Sequence, residues 1–236
     1  MIATSLVILG GVAIVLPDFI KQPEPTNVLL TFEINDENNL PIWCLNLSEV
    51  LDKHHANAAI FISGKTAKEH PECITSFDSG IDIGSQTYNY VNLNSISDYS
   101  LKLDEVRNGK DAIDITGNLD SKLFRAPYGN TDENIYSILY RSNILADFSY
   151  DEQYNKYENG KFIKFQISNY NSSQYSEEFF SKLKENNKPI IINFDNSISI
   201  EQIDDFISAI NSKNIRIVSA SQLTKTQLTI RNGGMS

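Results

Sequence analysis

The feature that most limits this chain is the alternation of short apolar runs with segments of helical period. Pro189–Phe194 (PIIINF) has a single polar side chain, and Ser199–Ile210 follows with Ile200, Ile203, Phe206, Ile207 and Ile210 on one stripe. An apolar run without alternation reads as a strand buried on both faces. A stripe at 3.6-residue spacing reads as a helix burying one side. The same pairing recurs upstream: Val28–Glu33 before Leu45–His55, Ala58–Ile62 before Thr66–Phe77, and Ile81–Ile83 before Asp98–Ile115. Lys122–Phe124, Asp132–Tyr140 and Ile144–Phe148 continue it, and Ile215–Val218 closes it. Ser199 with Gln202 three residues on has the spacing of a helix-starting capping box. Strands separated by amphipathic helices predict a parallel sheet with helical cover. The expected fold is therefore α/β, a deformed (β/α) barrel of about seven or eight parallel strands. Lys161–Ile167 is β-rich and expected at an edge, and the Tyr-rich stretch 150–175 is expected as a surface loop.

The domain occupies residues 28–223. Before it, Ile2–Leu16 carries no charge and is mostly apolar, and the polar segment Lys21–Asn27 (KQPEPTN) follows. Residues 1–20 read as an N-terminal hydrophobic anchor helix, a transmembrane signal anchor. A signal peptide is the alternative, although it would lack the usual basic start and small-residue cleavage site. Residues 21–27 read as a linker and 224–236 as a tail. Either export reading puts the body outside the cytoplasm, attached to the membrane if the anchor is kept. That compartment permits a disulfide between Cys44 and Cys73, the only two cysteines, with two separate buried thiols as the alternative. Asn46-Leu-Ser48 and Asn171-Ser-Ser173 match the N-glycosylation acceptor pattern.

Charge and rare residues narrow the chemistry. Lys+Arg 20 against Asp+Glu 30 gives a net charge of −10, which repels phosphate backbones and argues against nucleic acid as a partner. The chain holds three His, all in expected helices: His54 and His55 late in one, His70 at the turn before Pro71. They read as helix-terminal or structural residues rather than metal ligands.

In parallel α/β barrels the site forms where strands end. Those ends carry Leu30-Thr-Phe-Glu-Ile34, Ala59-Ile-Phe-Ile-Ser-Gly64, Gly84-Ser-Gln-Thr-Tyr-Asn-Tyr-Val-Asn-Leu93, Arg125-Ala-Pro-Tyr-Gly129 and Pro189–Asp195, with Glu69-His-Pro-Glu72 in the helix after the second. In this order and spacing they resemble the motifs of the polysaccharide deacetylase family, which shares the chitooligosaccharide deacetylase homology domain. The resemblance covers about Val28 to Leu223. It implies a barrel fold and metal-dependent deacetylation of a sugar. By the same resemblance, positions 34, 86 and 90 would hold the metal, 33 would be the base and 194 the acid.

Those positions read Ile34, Gln86, Tyr90, Glu33 and Phe194. Ile34 has no lone pair, Gln86 offers a neutral amide, and Tyr90 would have to lose a phenolic proton. Phe194 cannot donate a proton. Glu33 alone keeps its chemistry, as a carboxylate at the family base position. No bound metal and no cofactor are expected.

Asp195 could pair with Glu33 as two carboxylates at the mouth, a glycoside-type acid/base arrangement. Arg125, Pro127 and Tyr128 are expected to shape a binding loop. The expected function is a membrane-anchored, extracytoplasmic, catalytically inactive member of the fold that binds glycan or serves a structural role. The alternatives are an active carbohydrate deacetylase with an atypical site, and an accessory subunit of a membrane complex.

Overall fold

In a computed structural model, the structure describes residues 6–9, 12–15, 26–35, 40–129, 135–149, 153–158, 161–169, 179–181, 190–213 and 215–224. For 6–9, 12–15, 153–158 and 161–169 the description concerns the backbone. The core is a ring of strands. It starts with β3 (Thr26–Ile34), β4 (Ala58–Ile62), β5 (Ile81–Ser85), β6 (Leu123–Phe124) and β7 (Ala146–Asp147). It continues with β8 (Gln153–Glu158), β9 (Lys161–Asn169) and β10 (Ile190–Asp195). Each strand pairs with the next, and β10 pairs back onto β3 in parallel, with Asp195 opposite Glu33 and Asn193 opposite Thr31. A short β11 (Ile215–Ile217) adds to the start of β3.

All these pairings are parallel except those of β8, which runs antiparallel to both β7 and β9. The expected barrel thus holds with one reversed strand. The segment expected at an edge, β9, instead lies between β8 and β10. The stretch expected as a Tyr-rich surface loop supplies these two strands. Lys161–Asn169 holds Phe162, Ile163, Phe165 and Ile167, aromatic and β-branched types that favour a strand.

Helices cover the outside. They are α1 (Leu40–His54), α2 (Gly64–Glu69), α3 (Glu72–Thr75), α4 (Tyr99–Gly117), α5 (Ile135–Arg141), α6 (Ile200–Asn211) and α7 (Ala220–Thr224). The expected helix over 66–77 is broken into α2 and α3 because Pro71 stands between them, without an N–H to continue the ladder. At α6 the Ser199–Gln202 capping box is complete. Alternate residues of each strand divide the core in two. Leu30, Phe32, Ile34, Ile60, Ile62, Ile192 and Phe194 face the helices with Leu47, Phe206 and Ile210. Leu29, Ala59, Phe61, Leu123, Ala146, Phe148 and Ile191 fill the barrel interior, where Val218 and Ala220 join them.

Cys44 and Cys73 are joined by a disulfide that ties α1 to α3 across 29 residues. Closing a loop of that length is worth about 3–4 kcal/mol by the chain-entropy relation. The histidines are structural. His54 Nε2 lies 2.5 Å from Asp204 on α6, His55 takes a left-handed φ of 49° just past α1, and His70 caps the C-terminus of α2.

The anchor-helix expectation is corrected. Within residues 1–20, Leu6–Leu9 and Val12–Val15 form β1 and β2, paired antiparallel. Gly10-Gly11 between them and the β-branched Val7, Ile8, Val12, Ile14 and Val15 favour a hairpin over a helix. No described helix is long and apolar enough to cross a membrane. β3 begins at Thr26, inside the segment expected as linker. Asn46 lies on the exposed side of α1, whereas Asn171 and residues 225–236 lie outside the described residues.

Candidate functional site

The mouth of the barrel is built on the inner faces of β3 and β10. Because side chains alternate, Thr31 and Glu33 point inward while Phe32 and Ile34 point to the helices. Asn193 is likewise inward and Phe194 outward. Phe194 stacks on Phe32, ring centroids 5.1 Å apart, and meets Phe206 edge-on at 5.4 Å. The positions read as a family metal ligand (Ile34) and the family acid (Phe194) therefore sit in the outer apolar layer, away from Glu33.

Arg125, at the end of β6, is the hub of the interior. It is fully buried, and each guanidinium nitrogen is used. Nε donates to the Phe148 carbonyl at 2.9 Å, Nη2 to Thr31 Oγ1 at 2.9 Å, and Nη1 to Asn193 Oδ1. The Phe61 ring lies 4.2 Å from its carbon. Nη1 also stands 3.9 Å from Glu33 Oε2. Burial draws the guanidinium down to about 10, against the upward pull of the Glu33 and Asp147 carboxylates. It remains cationic at neutral pH and balances the buried Glu33.

Tyr90 closes the mouth from the loop after β5. Its hydroxyl donates to Glu33 Oε1 at 2.8 Å and accepts from Asn35 Nδ2 at 3.2 Å. Burial, and next the adjoining Glu33 carboxylate, hold this phenol well above its ordinary value of 10. Tyr90 is thus a neutral hydrogen-bond donor to a carboxylate, the opposite of a metal-binding phenolate. Its ring contacts Tyr128 at 5.3 Å, and Tyr128 is 61 % exposed. Tyr90, Tyr128 and Thr87 all hold φ near 60°, a region costly for side-chain-bearing residues. Such strain persists where surrounding contacts over-determine it, commonly at functional sites.

Gln86, one residue past β5, is fully buried, and neither amide atom has a partner among the described residues. Asp195 is exposed and turns its Oδ1 to the Ser197 N–H at 2.9 Å and to the Ser197 hydroxyl. Pro127 is buried and sets the turn that presents Tyr128.

A divalent metal does not fit this donor set. A zinc-type site needs about three protein ligands plus an open position. Here Ile34 faces the wrong layer, Tyr90 keeps its proton, and Glu33 already accepts from Tyr90 beside Arg125. No group of three or more His, Cys, Asp or Glu among the described residues could hold a metal.

The residues that sequence reasoning missed are Thr31, Asn193 and Asn35. Thr31 and Asn193 were marked only by being the polar interruptions of otherwise apolar runs.

A model of the family described as Polysaccharide deacetylase matches residues 20–144, which is 125 of 236 residues. No curated protein matches the chain. Among solved structures, a family 4 carbohydrate esterase from Streptomyces lividans in complex with acetate is 15% identical. The match covers 88% of this chain and 98% of that one, with a TM-score of 0.63. Peptidoglycan deacetylase PdaC from Bacillus subtilis is 16% identical, with coverage of 86% and 92% and a TM-score of 0.62. A CE4 family pseudoenzyme from Bacillus anthracis is 13% identical, with coverage of 85% and 66% and a TM-score of 0.60. At these identities the likeness concerns the fold.

Proposed function

The chain belongs to the polysaccharide deacetylase family, and from that premise we propose that it is a member without deacetylase chemistry, acting as a glycan-binding module. One observation carries this reading. The Tyr90 hydroxyl reaches Glu33 Oε1 at 2.8 Å, so the carboxylate at the family base position is capped by a neutral donor instead of facing a metal-bound water. Arg125 supplies the positive charge beside it. With Phe194 turned to the outer layer, no acid stands at the family acid position.

What the mouth offers is a surface. The exposed Tyr128 ring, set against Tyr90, whose hydroxyl accepts from the Asn35 amide, combines an apolar face with a polar rim, a composition suited to a sugar ring. Arg125 and Pro127 hold this surface from below. The likeness to a family 4 pseudoenzyme supports a non-catalytic use of the fold.

The location we propose is the extracytoplasmic face of the cell. The Cys44–Cys73 bond supports an oxidising compartment. Fractionation of the producing cells tests this, since recovery in the cytosol with free thiols would contradict it.

For the function, the full chain is titrated with acetylated chito-oligomers and with peptidoglycan fragments, and acetate is assayed in parallel. The expected result is saturable binding, weakened at least tenfold by Tyr128→Ala, with no acetate released. Acetate release abolished by Glu33→Gln would replace this reading with that of an active deacetylase. Absence of binding across both glycan classes would remove the glycan.

A further inference from the structure

Tyr90 owes its position to a loop that cannot hold itself. Residues 86–91 leave β5, and two of them, Thr87 (φ 64°) and Tyr90 (φ 54°), adopt the left-handed region without being glycine. Each such residue is strained relative to its relaxed conformation. Inside the loop, the Val91 N–H reaches Thr87 Oγ1 at 3.3 Å.

The bracing comes from two helices. From the start of α2, the Gly64 and Lys65 N–H groups donate to the Thr87 and Tyr88 carbonyls, both at 2.9 Å. From α4, Glu105 takes the opposite set of groups. Its Oε2 accepts from the Tyr88 N–H at 3.2 Å and the Asn89 N–H at 3.0 Å, and its Oε1 accepts from Asn89 Nδ2 at 2.7 Å. α4 can come this close because residue 109 is glycine: a Cβ there would lie 2.4 Å from the Thr87 carbonyl carbon. Successive backbone N–H groups converging on one carboxylate make a charge-assisted clamp, stronger than neutral hydrogen bonds. The clamp ends one residue before Tyr90.

We propose that Glu105 is a positioning residue, which locks the 86–91 loop so that the Tyr90 hydroxyl stays on Glu33 and the Tyr90–Tyr128 surface keeps its shape. The consequence for ligand affinity rests on the glycan-binding reading above; the consequence for Tyr90 itself does not. Without Glu105, the Tyr88 and Asn89 N–H groups lose their acceptor, Tyr90 relaxes toward extended backbone, and its hydroxyl leaves Glu33.

The test follows Tyr90 directly in the full chain. Tyrosine labelled with 13C at Cζ is incorporated, and the Tyr90 resonance is assigned by its absence in Tyr90→Phe. Glu105→Ala is expected to move that resonance and to let Tyr90 ionise nearer pH 10. Glu105→Gln, which keeps an oxygen for the two N–H groups, is expected to preserve the wild-type signal. Glu105→Asp, one methylene shorter, is expected to give an intermediate signal and covers the case in which the Ala variant does not fold. A lowered melting temperature with an unmoved Tyr90 resonance in the Ala or Asp variant would make Glu105 merely structural and overturn the proposal. Chito-oligomer titration of the same variants separates the two readings. If the resonance moves while even the wild type binds no glycan, Glu105 keeps its role and the glycan reading falls.

Discussion

The two faces of β3 and β10 make opposite use of adjacent residues. Outward, Phe32, Ile34 and Phe194 pack with Phe206 in a dry aromatic layer. Inward, Thr31, Glu33 and Asn193 surround a buried guanidinium in a connected polar network. The outer face tolerates volume-conserving change, since its energy is area and fit. The inner face does not, since removal of one member leaves the others buried and unpaired. The positions to which the family resemblance assigns catalytic groups divide along the same line: Phe194 and Ile34 serve the outer layer, whereas Glu33 and Tyr90 are absorbed into the inner network.

The sharpest way to break this contrast is at Arg125. Arg125→Leu removes the cation that Glu33 faces and the donors used by Thr31, Asn193 and Phe148, and is expected to cost about 3–5 kcal/mol by urea unfolding. Arg125→Lys should recover little, because one ammonium cannot reach three acceptors in a fixed fork. A cost below about 1 kcal/mol would show that the network is not what holds the interior.

The outer layer is also pinned by the disulfide. The Cys44→Ser/Cys73→Ser variant is expected to lose about 3–4 kcal/mol of unfolding free energy while leaving the Tyr90 environment unchanged. A change at Tyr90 would couple the two faces and weaken the distinction between them.

Phe194→His asks whether the acid position belongs to the mouth. An imidazole there enters the stack against Phe32, so we expect a loss of about 2–3 kcal/mol and no acetate release. A stable variant that gains turnover would place residue 194 on the inner face.

The smallest effect is expected at Tyr90. Tyr90→Phe takes one donor from Glu33, at about 1–2 kcal/mol at neutral pH. It should also change the alkaline limb. The folded phenol is held above 10 while the unfolded one ionises near 10. The folded state therefore keeps a proton that the unfolded state loses, and its stability falls as pH rises past 10. The Phe variant lacks this dependence, which parallel urea titrations at pH 9 and pH 11 would detect.

Most of the fold was legible because the strands are continuous apolar runs and α6 carries both its stripe and its cap. The same continuity hid which way each side chain points. PIIINF and VLLTFE have no alternation from which to tell Asn193 from Phe194, so motif position suggested Phe194 for the mouth and structure assigns it to the core. Arg125, Glu33 and Tyr90 were legible as strand-end residues, but their mutual contacts depend on the ends of β3, β5 and β6 converging at one barrel mouth. Residues 1–20 misled through length and apolarity, when Gly10-Gly11 and five β-branched residues favoured a hairpin. Glu105 carried no local signal, being one acidic residue among several on a surface helix.

The central claim is that Glu33 is satisfied by Tyr90 and Arg125 and leaves no place for a metal. Isothermal titration of the metal-stripped full chain with Zn²⁺, Co²⁺ and Ni²⁺ tests it most directly. The account predicts no stoichiometric site and no difference between wild type and Glu33→Gln. One tightly bound ion per chain, lost in Glu33→Gln, would contradict it.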